Sequence, residues 1–105
     1  MRILSFTVDG QKLSKNGDFS NIIRGSKGYL KCKFSFNGND WSKHRVIAVF
    51  RVHDNEEYAV LLNHDGTCMV PDEVTDGAYF KMELVGVSSD KTITITTNKE
   101  LVEQR

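Results

Sequence analysis

From Arg45 to Val52 the chain alternates in twos, with Val46, Ala48, Phe50 and Val52 on one face and Arg45, Ile47, Val49 and Arg51 on the other. β-Branched residues dominate the run, which suits a pleated strand. One face is wholly apolar and the other half apolar, the pattern of a central strand with a neighbour on each edge. Trp41 stands just ahead of it, where a large ring can plug the end of a two-layer core.

The same period recurs along the chain. Ile3 to Val8 predicts a first strand, turned at Asp9-Gly10 into a short hairpin with Gln11 to Leu13. Ser14 to Asp18 reads as a loop and Phe19 to Ile23 as a short edge segment. Tyr29 to Phe36 predicts a strand with Leu30, Cys32, Phe34 and Phe36 inside and Tyr29, Lys31, Lys33 and Ser35 outside. After a polar loop at Asp54-Asn55-Glu56, Glu57 to Leu62 pairs back on the central strand. Thr67 to Val70 follows, ended by Pro71, which has no N–H for a ladder.

Ala78 to Val87 predicts a long strand with Phe80, Met82, Leu84 and Gly86 inside. Across a loop at Ser88-Ser89-Asp90, Lys91 to Thr97 returns with Ile93 and Ile95 inward and Thr92, Thr94 and Thr96 outward. Leu101 and Val102 add a last short strand. Short helical turns are expected over Trp41 to His44, capped by Asp40, and over Asp72 to Val74. Asx-Gly pairs such as Asn37-Gly38, Asp65-Gly66 and Asp76-Gly77 supply the tight turns. Seven or eight short antiparallel strands at this spacing predict an all-β, immunoglobulin-like β-sandwich with one or two helical turns.

With 105 residues, the chain is read as a single domain over 1–105 with a core that needs no metal or disulfide. No apolar run approaches the roughly 18 residues of a membrane span, and the N-terminus alternates like a strand without a signal-peptide cleavage site, so synthesis and folding in the cytoplasm are expected. Residues 1–52 carry ten Lys/Arg against three Asp/Glu, and residues 53–105 carry four against eleven. No block of like charge is long enough to be a tail, so pairing between interleaved strands is expected, with head-to-tail subunit contact as the minor alternative.

No catalytic constellation emerges. His44, His53 and His64 each lie in or beside a loop, and their spacing with Cys68 and Asp65 matches no dense metal-ligand motif. Cys32 and Cys68 sit within apolar alternation, as buried small hydrophobes do; a disulfide between strands of facing sheets is the lesser alternative. A nucleophilic Cys68 paired with His64 or His44 would need an exposed thiol of lowered pKa. The carboxylates at Asp54-Glu56-Glu57 and Asp72-Glu73-Asp76 form neither an acid/base pair nor a calcium loop. Lys27, Lys31 and Lys33 with Tyr29 make a basic, aromatic strand face, but a thin one on a chain with pI near 6.8, so a solubilising face is preferred to nucleic-acid binding. No enzyme activity, cofactor, metal, nucleic acid or membrane partner is expected.

One feature is out of place. If the central, long and returning strands share a sheet, its outer face carries Ile47, Val49, Val85 and Val87, with the threonines alongside. Contiguous apolar residues on an outer face mark a partner surface, unless the N-terminal hairpin or the C-terminal segment folds over them.

Several stretches resemble a known family. Trp41 before Val46-Ile-Ala-Val-Phe50, then Tyr58-Ala-Val-Leu-Leu62, and Thr67-Cys-Met-Val-Pro71 with Glu73-Val74, resemble the small Ig-like modules of tailed-bacteriophage virion proteins. Phe80-Lys-Met-Glu-Leu-Val-Gly86 and Ile93-Thr-Ile-Thr-Thr-Asn98 extend the likeness over residues 29–98. Such modules occur in capsid decoration, tail and baseplate components. The chain departs from them by stopping soon after Thr-Thr-Asn and by placing Asp-Glu after Pro71 in place of a bulkier residue.

The resemblance implies a non-enzymatic bacteriophage structural protein, made in the host bacterial cytoplasm and located in the virion. Its expected role is a capsid (head) decoration subunit, binding phage capsid or tail proteins, with self-association also open. The alternatives are a tail, baseplate or adhesion module that binds host-surface carbohydrate or protein through the loops near Trp41, His44 and Tyr58, and a small phage-encoded inhibitor of a host protein.

Overall fold

Two sheets carry the alternation read from the sequence. The computed structural model describes residues 1–53 and 56–105, so Asp54 and Asn55 of the expected Asp54-Asn55-Glu56 loop lie outside the described residues. The first sheet holds β1 (Arg2–Asp9), β2 (Lys12–Asn16), β3 (Leu30–Asn37) and β6 (Thr67–Met69), in the order β2-β1-β3-β6. The second holds β4 (His44–Arg51), β5 (Glu57–Leu61), β7 (Tyr79–Ser88), β8 (Thr94–Thr96) and β9 (Glu100–Glu103). Its order is β5-β4-β7, with β8 and β9 both pairing the far side of β7.

The architecture is an all-β sandwich. β3 pairs β6 antiparallel in one layer, and β4 pairs β7 antiparallel in the other with β5 outside it, which is the immunoglobulin-type pairing of inner strands. Nine strands form among the described residues, against the seven or eight expected.

One pairing departs from the expected antiparallel scheme: β1 and β3 run parallel, Leu4 beside Cys32 and Phe6 beside Phe34. The β1–β2 hairpin has already brought the chain back to its starting end, so β3 must set out alongside β1 in the same direction. A parallel neighbour needs a connection of a dozen or so residues; here β2 and residues 17–29 supply it. Residues 19–23 form no strand. Ile22 is nonetheless fully buried, Phe19 packs edge-on against Phe6 at 5.2 Å, and Ile22 O accepts from Arg105 N at 2.7 Å.

Period-two alternation places Leu4, Phe6 and Val8 of β1 against Ala48 and Phe50 of β4 and Phe80, Met82 and Leu84 of β7, all buried. Phe6 stacks on Phe34 at 5.2 Å and Phe50 meets Phe80 edge-on at 5.8 Å. Trp41 closes one end, as expected. It lies in a turn, with no helix, and its Nε1 donates to Gly10 O at 2.7 Å. A 3-10 helix over Asp72–Asp76 matches the turn expected after Pro71.

Cys32 and Cys68 are free, buried and directly opposite on β3 and β6, in one sheet rather than across two. Their mutual hydrogen bond, and burial after it, push the Cys32 thiol well above the ordinary range. The returning strand after β7 is shorter than expected. Ile93 is outside the core, 56% exposed: Asp90 closes the turn by accepting from Ser88 Oγ, Thr92 N and Thr92 Oγ1, Ile93 is held to Ser88 at the turn's base (Ser88 N to Ile93 O, 2.9 Å), and the strand ladder begins at Thr94. No helix among the described residues is long and apolar enough to cross a membrane.

Candidate functional site

Register turns the outer face of the second sheet into rows. Leu61, Ile47, Val85 and Thr96 lie side by side across β5, β4, β7 and β8. Above them run Arg45, Val87 and Thr94; below them, Ala59, Val49 and Glu83. The four residues singled out from the sequence, Ile47, Val49, Val85 and Val87, therefore meet on one face, each half-buried by its neighbours. Leu61, which the sequence reading assigned only to a pairing strand, joins them at 52% exposure.

Neither segment that was a candidate to cover this face does so. The β1–β2 hairpin belongs to the opposite sheet, and β9 extends the edge of the same sheet. Thr94 and Thr96 flank the apolar rows as expected, whereas Thr92 is drawn into the Asp90 turn.

A charged belt bounds the patch below. Arg51 on β4 bonds Glu57 on β5 and, at 2.6 Å, Glu83 on β7. Glu83 first, and Glu57 with it, hold the guanidinium above its ordinary value. The third ion pair, Lys27 to Asp76 at 3.0 Å, secures the lower end of the sandwich. All three pairs among the described residues join a cation from 1–52 to a carboxylate from 53–105; the two made by Arg51 are the pairing between neighbouring strands that the uneven charge distribution predicted, whereas Lys27–Asp76 joins a loop to the 3-10 helix.

At the upper end the patch runs into an open cleft of about 1060 Å³ between the start of β4, the β5–β6 turn and the β7–β8 turn. Leu61, Arg45 and Val87 belong to both patch and cleft. The β5–β6 turn lies close against β3: Gly66, at φ 78°, would bring a Cβ to 2.9 Å from Phe34 O, so only glycine fits. His44 and His64, separate loop histidines in the sequence, both line this cleft. Among the described residues no group of three or more His, Cys, Asp or Glu side chains is placed to hold a metal ion.

Of the other sequence candidates, Lys31 and Lys33 point outward from β3, while Lys27 is taken up by Asp76 and by Asp72 O. Tyr58 is half-buried and donates to Glu56 at 3.1 Å. Trp41 is 5% exposed. Compared with known proteins, the chain matches no family model and no curated sequence.

Proposed function

We propose that this protein is a non-enzymatic structural component of a bacteriophage virion, a capsid decoration subunit that docks on a repeating lattice through the outer face of its second sheet. The observation that carries the reading is the uncovered apolar block of Leu61, Ile47 and Val85 with Ala59 and Val49, edged by threonines on one side and the Arg51 belt below. Apolar rows framed by polar groups suit a protein-binding site. On a lattice, many copies each burying a modest area hold through avidity, with no single tight contact required. The resemblance to Ig-like virion modules supports a virion lattice as the partner.

The carbohydrate-binding alternative has less support. A sugar stacks on an accessible ring, and Trp41 lies beneath Gly86 and against Phe36 at 5.6 Å with its indole N–H engaged.

Substituting Ile47→Asp or Val49→Asp tests the reading. Each side chain stands on the outer face, so the thermal midpoint should stay within a few degrees of the parent, while mass spectrometry of purified particles should find the variant depleted about tenfold or more. Full loading of both variants, or absence of the parent chain from particles, overturns it.

A further inference from the structure

The cleft above the apolar face has its own chemistry. Its floor is apolar and partly open, with Phe36, Val46 and Leu62 half-buried along it. Its rim is basic: Lys43 and Arg45 on one side, Lys91 on the other, all exposed and none in an ion pair among the described residues. The neighbouring carboxylates are already engaged. Asp65 accepts from Thr67 Oγ1 at 2.6 Å, and Asp90 is held inside its own turn.

Lys43 and Lys91 also have left-handed backbones, φ 60° and 63°, a conformation that glycine takes without cost and lysine does not.

We infer that this cleft binds an extended acidic segment of a partner protein, with carboxylates on the Lys43, Arg45 and Lys91 rim and an aliphatic side chain on the Phe36–Val46–Leu62 floor. Unpaired cations over an apolar floor favour a ligand that alternates negative charge with aliphatic side chains, because each half alone satisfies half the site. Because Leu61, Arg45 and Val87 are shared with the sheet face, the inference extends the docking reading and gives the partner's charge at that contact.

The test uses the full chain and an end-blocked peptide alternating glutamate and leucine. Saturable amide shifts are expected at residues 43–46, 61–66 and 88–91. A peptide with lysine in place of glutamate should bind at least about tenfold more weakly, as should a variant carrying K43G, R45Q and K91G. The two glycines suit the left-handed positions, so this variant keeps the fold and its melting temperature is the control. Equal binding of the lysine peptide, shifts confined to other surfaces, or no saturation overturns the inference. Salt-sensitive self-association that occupies the cleft would assign it to a second copy and overturn it equally. Peptide binding is read on the isolated protein and particle loading on the virion, so each reading can fail without the other.

Discussion

Trp41 reaches its place because Gly86 has no side chain. A Cβ at Gly86 would lie 2.8 and 2.9 Å from two ring carbons of Trp41, with Ile95 at 3.1 Å behind it. The alternation of β7 marks Gly86 as inward-facing, and Trp41 was read as an end plug, but which ring needs the space is settled by the meeting of two segments 45 residues apart. Gly86→Ala should cost about 1–3 kcal/mol through overpacking, read as a lowered melting temperature together with a change in tryptophan fluorescence. Asp90 acts on pH in a similarly local way. Bonds from Ser88 Oγ and then from Thr92 lower its pKa from 3.8 to about 2. A carboxylate lowered by folding contributes stability above its unfolded pKa and loses it as pH falls through the folded value. The melting-temperature advantage of the parent over Asp90→Asn should therefore be full above about pH 5 and vanish towards about pH 2. An advantage unchanged over that range would contradict the assignment.

Among the elements, the break between β8 and β9 ties the two sheets together along one edge. Val85–Val87 pair with β8 and Tyr79–Met82 with β9, and Thr97 fills the gap by accepting from Leu84 N at 3.0 Å through Oγ1. The break turns Asn98 to the other sheet, where its amide accepts from Leu13 N at 2.7 Å and donates to Leu13 O at 3.2 Å, imitating a ladder between β2 and the strand beyond β7. Gln11 adds a bond from Nε2 to Thr96 O at 3.0 Å. Thr97→Val keeps the shape but strands the buried Leu84 N–H, so a loss of about 1–3 kcal/mol is expected in chemical denaturation. Little of this is legible in sequence. Thr97 and Asn98 read as the end of an alternating run, and Leu13 lies 85 residues away. The strands themselves were legible where one face is buried, as in β3, β4 and β7, because a one-residue slip there would turn the apolar set outward.

For the whole molecule, the division lies between patterns carried by single strands and arrangements created by their assembly. The two-residue period of β4 and β7, the Asx-Gly turns and Pro71 determined by themselves an all-β sandwich and the outward side of Ile47, Val49, Val85 and Val87 on their own strands, since alternation fixes the side of each residue once one face is apolar; that β4 and β7 are neighbours, so that the four meet on one face, came from the tertiary structure. Tertiary structure alone decided that β1 runs parallel to β3, that the β1–β2 hairpin leaves the apolar face uncovered, and that Cys32 and Cys68 face each other within one sheet. It also decided the basic cleft, because the β3–β4, β5–β6 and β7–β8 connections reach the same end of the sandwich only after both sheets have formed. Side-chain direction is a local property of the backbone, whereas which strands become neighbours depends on the loops that join them and on the burial that all of them share.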